Sequence, residues 1–425
     1  MGLFNLFNKK LEEKLQPDNL SRMLAIPEKE ADIGDPEILL ERLGAIQEMT
    51  ILSRKKEDYK ISLVIEYREQ EFQLLLYPDS FVLPEFYRQQ HLFPDVDMKK
   101  LALAESGIMI EMLFGENSLE SYHLQLKMIH CMLPDMLALL DISSEKILSG
   151  RWVAMAAASK VPPAPRYIYT VQAVSDEDEV WLHTHGLNRC KITELEVLGS
   201  TKDTYNNHYN IIETAANRLL EAEEPLKEKE PLYLARLSED IYMVITLVPW
   251  AEALGQYDRE ILGGKKDRRE GHNGYTSMIF VYPTEADYKK KKYMPVSIYD
   301  EVLKDNPIYM ITGAETERMR NLALERIDYV REALKQEENH ILVKIGLVVD
   351  EEYQNDDNFH EHIWFELLEF NDDKVTGELT QEPYYVKDMH TGSVGTFELK
   401  DITDWLIFTP ERRISPDDAY LFEMQ

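Results

Sequence analysis

Three residues that could do chemistry stand side by side in the stretch DDNFHEHIWFELLEF, namely His360, Glu361 and His362. Imidazole and carboxylate groups bind zinc and exchange protons near neutral pH. In a zinc-protease helix the two histidines are four residues apart, because that spacing puts both rings on one helical face. Here they are two apart, and this spacing puts both rings on one face of a β-strand instead.

The residues that follow favour a half-buried strand. His360, His362, Trp364 and Glu366 share one predicted face, and the apolar residues alternate onto the other. That second face has the composition of an ordinary core face and comprises Glu361, Ile363, Phe365 and Leu367. A zinc or copper site would need further ligands, for which the candidates are His340 and His390. We therefore favour a strand with an exposed histidine edge and keep His360 and His362 as less favoured metal candidates.

A second histidine pair lies in WLHTHGLNRC, where His183, His185 and Cys190 fall close together. Imidazole and thiolate are both zinc ligands, so this group is also a metal candidate. A zinc site usually combines two such clusters, and Gly186 predicts a sharp turn between the histidines and the cysteine. We therefore favour the interpretation in which this group binds no metal.

Two further groups of charged residues could take part in catalysis or ligand binding, but each is also explained by solvent exposure. Glu194 and Glu196 share one face of a predicted strand, and a hydrolase could use such a carboxylate pair as acid and base, but we expect both to be solvated. The basic side chains of the glycine-rich segment 263–274 could hold a phosphate, and they are Lys265, Lys266, Arg268 and Arg269. Their spacing matches no phosphate loop, so we expect a solvated, mobile loop.

The net charge of −31, from 78 acidic and 47 basic side chains, limits the classes of partner. A field of this sign repels nucleic acid and anionic membranes and favours a basic protein partner. Acidity also serves solubility alone, which is the more ordinary interpretation. The run Lys289–Lys292 between Tyr288 and Tyr293 is similar to a nucleic-acid patch, but the charge of the whole chain opposes that function. We expect no nucleic-acid partner and no membrane partner.

The compartment is predicted from features that the sequence lacks. No stretch has the roughly 18 uninterrupted apolar residues that cross a bilayer, and the first residues, MGLFNLFNKKLEEK, lack the order of a secretory signal. The two cysteines, Cys131 and Cys190, form neither a CxxC pair nor a disulfide framework, which suits a reducing compartment. We predict a cytoplasmic protein with two buried thiols and no cofactor.

Hydrophobic periodicity predicts an α+β fold built from several small units in series. Three pairs of apolar runs separated by short polar turns predict β-hairpins: DYKISLVIEY with EFQLLLYP, RYIYTVQAV with EVWLHTHGL, and PLYLARL with IYMVITLVPW. Helical spacing marks SLESYHLQLKMIHCMLPDMLALLD, NHYNIIETAANRLLEAEE and the long segment 314–336. The regular alternation of a doubly wound sheet is not found.

Three domains are predicted: an α+β domain at residues 1–150, a second α+β domain at 151–310, and a domain of a helix plus antiparallel sheet at 311–425. The proline-rich stretch SKVPPAPRY is a stiff connection of the kind that separates domains. In the last domain the strand candidates follow one another at short intervals. We expect a mainly antiparallel sheet there, with a half-open barrel as one arrangement of it.

Three segments near the C-terminus, HEHIWFELLEF, VTGELTQEP and GSVGTFELKDITDWLIF, together resemble the YegJ-like domains of unknown function of bacteria. The residues that carry the resemblance are Glu361, His362, Ile363, Trp364, Gly377, Leu379, Pro383, Ile402, Asp404 and Trp405. The preceding part of the chain is similar to the uncharacterised domains that accompany them in Gram-positive bacteria, mainly through WLHTHGLNRC and ITELEVL. Neither resemblance implies an activity.

Five of these residues form the candidate binding site: Glu361, His362, Trp364, Asp404 and Trp405. The two tryptophans are large enough to anchor the core of a small domain, and their indole N–H groups need partners such as the carboxylate of Asp404. Glu361 and His362 form a polar pair at the mouth of the predicted small barrel, where a recognition site could lie.

The leading functional hypothesis is a non-enzymatic cytoplasmic binding protein that holds a basic protein partner on its acidic surface. An immunity protein that neutralises a bacterial toxin is one form of it, because domains resembling these are associated with toxin and immunity gene neighbourhoods. The alternative is a metal-dependent hydrolase that uses one of the two histidine clusters. A scaffold in a stress or envelope pathway is a third hypothesis. The charge and the absence of a catalytic motif favour the first.

Overall fold

The computed structural model describes residues 19–29, 36–89, 93–222, 224–238, 240–268, 274–305, 313–354 and 359–424. These residues form two compact units. The first unit comprises Met1–Val153 and Pro165–Met310, and the second comprises Ala154–Ala164 and Ile311–Gln425. Helices and mainly antiparallel sheets are mixed along the chain, which confirms the predicted α+β class. No helix within the described ranges is long and apolar enough to span a membrane.

The first sheet of the first unit contains β1 (Leu20–Pro27), β2 (Met49–Glu57), β3 (Lys60–Tyr67), β4 (Gln70–Ser80), β5 (Ser106–Leu113), β6 (Met136–Asp141) and β7 (Lys146–Ser149). The strand order is β2-β3-β4-β5-β1-β6-β7 with antiparallel neighbours. The first predicted hairpin is confirmed as β3 and β4. Its turn residues Arg68 and Glu69 have positive φ angles of 48° and 64°, as a two-residue turn that follows the strand twist requires.

The helices described in this part of the chain are α1 (Pro36–Leu43), α2 (Glu85–Gln89), α3 (Met98–Leu101), α4 (Ser118–Met132) and α5 (Gly150–Ala158). The helix predicted over SLESYHLQLKMIHCMLPDMLALLD is confirmed only to Met132, as α4, and its N-cap Asn117 accepts a hydrogen bond from the N–H of Glu120 at 3.0 Å. The prediction is wrong for the end of this segment, because Pro134 cannot continue a helix and MLALLD forms β6. Met128 and Met132 are buried, so the methionines of α4 belong to the core.

The second sheet of the first unit contains β8 (Thr170–Asp176), β9 (Glu179–His185), β10 (Glu194–Thr201), β11 (Leu232–Arg236), β12 (Tyr242–Pro249), β13 (Thr276–Val281) and β14 (Met294–Pro295). The order is β11-β12-β13-β10-β9-β8, with β14 beside β13, and the pair β10–β13 is parallel. Both predicted hairpins, β8 with β9 and β11 with β12, are confirmed. The described helices of this part are α6 (Tyr205–Glu221), α7 (Trp250–Ala253), α8 (Glu285–Lys289) and α9 (Asp300–Asp305).

A buried ion pair ties the two sheets of the first unit together. Arg189 follows β9, and its guanidinium donates two hydrogen bonds to Asp141 of β6, at 2.8 and 2.7 Å. Nη1 of Arg189 also donates to Oγ of Ser21 on β1 at 2.9 Å. The side chains of Arg189 and Asp141 are 1% and 0% exposed. The pair therefore joins segments that are far apart in sequence, and removing one partner would leave an uncompensated buried charge.

The second unit has one sheet, formed by β15 (His340–Val348), β16 (His360–Asn371), β17 (Lys374–Leu379), β18 (Val394–Glu398), β19 (Ile402–Phe408) and β20 (Arg413–Ile414). The order is β18-β17-β16-β15-β19-β20 with antiparallel neighbours. The predicted antiparallel sheet is confirmed, and it is open rather than closed into a barrel.

Two helices of the second unit replace the single one predicted at 314–336. They are α10 (Gly313–Glu325) and α11 (Ile327–Ala333). Between them Arg326 leaves helical geometry at φ −109° and ψ 22°, and its guanidinium donates a hydrogen bond to the carbonyl of Pro416 at 2.5 Å. Trp405 is fully buried, and its indole N–H donates to the carbonyl of Ala323 at 3.1 Å rather than to the expected Asp404. The core of this unit thus lies between the helices and β19.

Candidate functional site

His360, Glu361 and His362 are the first three residues of β16. In the antiparallel pairing with β15, His362 lies opposite Gly346 and Trp364 lies opposite Lys344. Burial alternates along the strand as predicted, with exposed His360 and His362. The buried residues of the alternation are Ile363, Phe365 and Leu367. The half-buried strand with a histidine edge is therefore confirmed.

His362 occupies a place that a glycine leaves open. A Cβ atom on Gly346 would lie 3.4 Å from Cε1 of His362, so the missing side chain gives the ring room to reach across β15. Nδ1 of His362 makes a hydrogen bond with Oγ1 of Thr403 at 3.1 Å. Burial lowers the pKa of His362, and the positive charges of Lys344 and a protonated His360 lower it further. These effects favour the neutral form of the ring.

The five candidate binding residues are divided between the two faces of the sheet. His362, Trp364 and Asp404 share the face that carries Lys344, whose ammonium lies 5.2 Å from the ring centroid of Trp364. Trp405 points into the core. Glu361 lies on the same side as the core residues, at the end of the sheet. The structure thus brings three candidates together and separates the other two.

Glu361 organises a loop rather than facing His362. Its two carboxylate oxygens accept hydrogen bonds from the backbone N–H groups of Tyr384 and Tyr385, at 2.8 and 2.9 Å. Asp350, just after β15, accepts from the N–H of Lys387 at 3.0 Å, and its own N–H donates to the carbonyl of Tyr385 at 3.0 Å. Carboxylates at the ends of two strands therefore hold the loop 384–387 in one conformation.

This loop presents large aromatic side chains to solvent. The exposed fractions are 82% for Tyr384, 40% for Tyr385, 36% for Tyr353 and 52% for Phe359, which lies two residues before Glu361. The ring centroids of Tyr353 and Tyr385 are 5.7 Å apart, and those of Tyr384 and Tyr385 are 6.2 Å apart. We call Tyr353, Phe359, Tyr384 and Tyr385 the tyrosine patch. The only sign of this patch in the sequence is the pair Tyr384–Tyr385 after Pro383, and the patterns used to predict strands and motifs do not include such a pair.

The segment of sequence that carries the tyrosine patch is rich in carboxylates. Between residues 350 and 390 the chain has 13 acidic and two basic side chains. One of the two basic residues, Lys387, pairs with Glu352 and lies 5.1 Å from the ring centroid of Tyr353. Glu382 accepts from His390 at 2.5 Å, and this hydrogen bond lowers the pKa of Glu382. The chain segment of the patch is therefore acidic, and the carboxylates that contact it are Glu361, Asp350 and Glu352.

The second histidine pair is packed into the first unit. The ring of His183 lies 4.3 Å from Trp181 and 5.0 Å from His185. Cys190 lies beyond the sharp turn at Gly186, which has φ 111° as predicted, and burial raises the pKa of its thiol to about 12. Among the described residues, no group of three or more His, Cys, Asp or Glu side chains is placed to hold a metal ion. The other cysteine, Cys131, is only half-buried.

Glu194 and Glu196 are buried, so the expectation that both are solvated is wrong. Glu194 accepts hydrogen bonds from the hydroxyl of Thr184 at 2.6 Å and from the N–H of Gly186 at 2.9 Å. It also accepts from the N–H of Asn188 at 3.0 Å. This carboxylate therefore fixes the turn that follows β9.

Glu196 forms a buried pair with Arg268, which was expected in a solvated loop. Nη1 of Arg268 donates to Oε1 of Glu196 at 2.9 Å, and both side chains are 1% exposed. The guanidinium carbon lies 4.5 Å from the ring centroid of Trp250 and 5.8 Å from that of Trp181. Burial raises the pKa of Glu196 to about 6, against the effect of Arg268. Arg269, the next predicted loop cation, lies outside the described residues.

A serine, a histidine and an aspartate form a hydrogen-bonded chain that sequence patterns did not indicate. Oγ of Ser200 lies 2.8 Å from Nδ1 of His208, and Nε2 of His208 lies 2.8 Å from Oδ1 of Asp300. These are the partners of a hydrolase triad, but the serine binds Nδ1 rather than Nε2. Ser200 and His208 are both fully buried, so no substrate reaches the hydroxyl in this conformation. The chain links β10, α6 and α9 and has a structural role.

Comparison with protein families assigns domains to most of the chain. Residues 21–163 match the model described as protein of unknown function (DUF4026) N-terminal, and residues 171–280 match its C-terminal counterpart. Residues 320–415 match the model described as uncharacterized protein conserved in bacteria (DUF2314). No curated protein and no solved structure matches the chain. The chain therefore carries the two domains of DUF4026 followed by a DUF2314 domain, which confirms bacterial domains of unknown function in series.

Proposed function

We propose that this protein is a protein-binding module whose second unit holds a basic partner on the tyrosine patch. One observation carries the proposal: Tyr353, Tyr384 and Tyr385 stand exposed together at one end of an antiparallel sheet, in an acidic segment of the chain. Contiguous exposed apolar surface rimmed by polar groups is typical of interaction sites. Tyrosine is enriched in such sites because its ring is large and its hydroxyl remains hydrated.

The loop 384–387 is already ordered by its anchoring carboxylates, which lowers the entropic cost of binding a partner. Association loses free energy when loops and side chains must be ordered at an interface. Glu361 and Asp350 already hold Tyr384 and Tyr385 in place through four backbone hydrogen bonds of 2.8 to 3.0 Å. Tyrosine itself has few rotatable bonds, so little ordering remains for the partner to impose.

The acidic surrounding determines the class of partner. Lysine and arginine side chains interact favourably both with carboxylates and with the faces of aromatic rings. The contact of Lys387 with Tyr353 and Glu352 is an example of this chemistry within the chain. The net charge of −31 would also raise the association rate of a basic protein. The specific form that we propose is an immunity-like protein of the cytoplasm that neutralises a basic toxin. The C-terminal domain matches the DUF2314 model, and its resemblance to YegJ-like domains stays a prediction.

The metal-dependent hydrolase stays an alternative prediction without a specific observation in its favour. It rests on the histidine pairs at residues 183 and 185 and at residues 360 and 362. Metal content by mass spectrometry of the untagged wild type and of the His362→Ala and His183→Ala variants tests it. Stoichiometric metal that is lost in one variant would locate a site and would favour the enzyme.

The test of the proposed function is capture of a partner from native lysate at low salt, followed by measurement of its affinity. The double variant Tyr384→Ser/Tyr385→Ser should weaken binding at least tenfold, as expected when central aromatic anchors are removed. Tyr233→Ser/Tyr242→Ser is a matched control, because these tyrosines are 45% and 48% exposed and neighbour each other in the first unit. Equal binding by all three proteins, or no partner at low salt, would refute the patch as the binding site.

A further inference from the structure

A groove of about 600 Å³ in the first unit has four lysines among its lining residues. Its lining residues are Lys229, Glu252, Gln256, Lys290, Lys291, Lys292, Tyr293, Met294 and Pro295. Four of these nine side chains are lysines, in a chain whose net charge is −31. Such a local excess of positive charge is opposite in sign to the molecule as a whole and requires a separate explanation.

The carboxylates nearby balance only part of this charge. Nζ of Lys229 donates to Glu252 at 2.7 Å, and Nζ of Lys291 donates to Glu230 at 3.1 Å. The hydroxyl of Tyr293 also donates to Glu252 at 2.9 Å, so this carboxylate already has two donors. After these two pairs, the lining retains the charges of the exposed Lys290 and Lys292 as its excess.

The backbone turn that carries these lysines is the C-terminal cap of α8. Lys291 has φ 51°, in the left-handed region that glycine or asparagine usually occupies. The N–H of Lys291 donates to the carbonyl of Tyr288, and that of Lys292 donates to the carbonyl of Asp287, both at 2.9 Å. Nζ of Lys291 lies 4.3 Å from the ring centroid of Tyr288. The two backbone hydrogen bonds form a Schellman cap, which places the lysines at the groove and does not itself indicate a ligand.

A helix end would explain some lysines here without any ligand. Cations are favourable near a helix C-terminus, and α8 ends at Lys289. However, α8 has only five residues, and its dipole does not require three successive lysines to line one groove. Nor does it account for Lys229, which comes from a segment before β11 and faces the same space. The convergence of separate segments favours a binding site.

The surrounding field restricts the ligand to a compact anion. At physiological ionic strength a charge is screened beyond about 8 Å, so a ligand that stays within the groove is affected mainly by the lysines. A long polyanion would extend over the acidic surface and be repelled. Lysine ammonium groups are point donors that suit phosphate oxygens. We propose that this groove binds a small oligophosphate, either free or as the phosphate tail of a nucleotide.

Calorimetric titration of the full chain with tripolyphosphate and with ATP, at about 0.15 M salt, tests this proposal. We expect saturable binding at one site, weakened about tenfold or more in Lys290→Gln/Lys292→Gln. Lys265→Gln/Lys266→Gln is the matched control, because it removes the same charge from an exposed segment of the same unit and should change the affinity less than about twofold. Equal affinity for both anions, or tighter binding of tripolyphosphate, would assign free oligophosphate. Tighter binding of ATP would assign a nucleotide.

Two results would overturn the proposal. The first is the absence of saturable binding of either anion up to about 1 mM, which corresponds to an affinity too weak for a specific site. The second is an equal loss of affinity in both double variants, because the anion would then respond to the net charge of the molecule and not to the groove. The four substituted lysines are exposed, so both variants should fold, and thermal unfolding of each verifies this.

Discussion

At the scale of single residues, Asp404 is a carboxyl group whose surroundings oppose its charge. Burial raises the pKa of Asp404 to about 6, against the opposing effects of the hydrogen bond from the N–H of Trp405 and of the nearby charge of Lys344. That hydrogen bond reaches Oδ1 of Asp404 at 2.8 Å. The folded state therefore favours the neutral carboxyl more than the unfolded chain does.

Asp404→Asn should stabilise the second unit at neutral pH. Asparagine keeps an acceptor for the N–H of Trp405 and carries no charge. Because the pKa of Asp404 is raised on folding, its contribution to stability is fully present below about pH 4 and is lost as the pH rises to about 6. We expect the free energy of unfolding of the variant to exceed that of the wild type by roughly 2 kcal/mol at pH 7 and to match it near pH 4. Urea unfolding at both pH values measures the difference.

A substitution of an exposed aspartate in the same unit provides the control for this effect. The side chain of Asp328 is 87% exposed, so Asp328→Asn should change the free energy of unfolding by less than about 0.5 kcal/mol at either pH. A variant at Asp404 that is less stable than the wild type at pH 7 would mean that the attraction of Lys344 outweighs the burial of the carboxyl.

At the scale of elements, strands and hairpins could be predicted, whereas the partners of polar residues could not. The alternation along β16 and the three hairpins follow from local hydrophobic period, which any few consecutive residues display. Glu196 was expected in solvent because its partner Arg268 is 72 residues away. Similarly, the helix pattern at 314–336 gave no sign of a break at Arg326, whose acceptor Pro416 lies 90 residues later. Such pairs depend on tertiary contacts that a single sequence does not display.

The loop 384–387 should lose its order when its anchor is weakened. Glu361→Gln replaces one acceptor oxygen by an N–H₂ group, which cannot accept the hydrogen bond from Tyr384 or Tyr385. We expect the amide hydrogens of these two residues to exchange roughly tenfold faster, because local opening becomes easier by about 1 to 1.5 kcal/mol. Hydrogen exchange followed by mass spectrometry measures this rate.

Glu369→Gln on the same strand separates the loop effect from a general effect of lost charge. Glu369 is exposed and lies farther along β16, so its substitution should leave the exchange of the loop amides unchanged. Faster exchange in both variants would show that the anchor is not specific. If only Glu361→Gln also weakened partner binding, the order of the loop would be linked to the proposed function.

At the scale of the whole molecule, the charge is the property that the sequence states most directly. The net charge of −31 can be counted without a structure, but its effect on binding depends on where the charged side chains lie on the folded chain. In the second unit, the tyrosine patch lies on an acidic segment and is held by the carboxylates of Glu361 and Asp350. In the first unit, lysines converge on a groove from segments on both sides of β11. A single sequence displays the total and the run Lys289–Lys292, but only the structure brings Lys229 to the same groove and groups the exposed tyrosines.

The same net charge should make the stability of the folded chain depend on salt. Repulsion among 31 excess negative charges destabilises the compact state, and it is screened as the Debye length falls from about 30 Å at 0.01 M to about 8 Å at 0.15 M salt. We expect Tm at pH 7 to rise by several degrees over this salt range. At the isoelectric pH of about 4.8 the same salt step should leave Tm nearly unchanged, since the net charge is then small. Differential scanning calorimetry at both pH values measures these changes in Tm. Equal changes in Tm at the two pH values would show that the effect of salt does not come from the net charge.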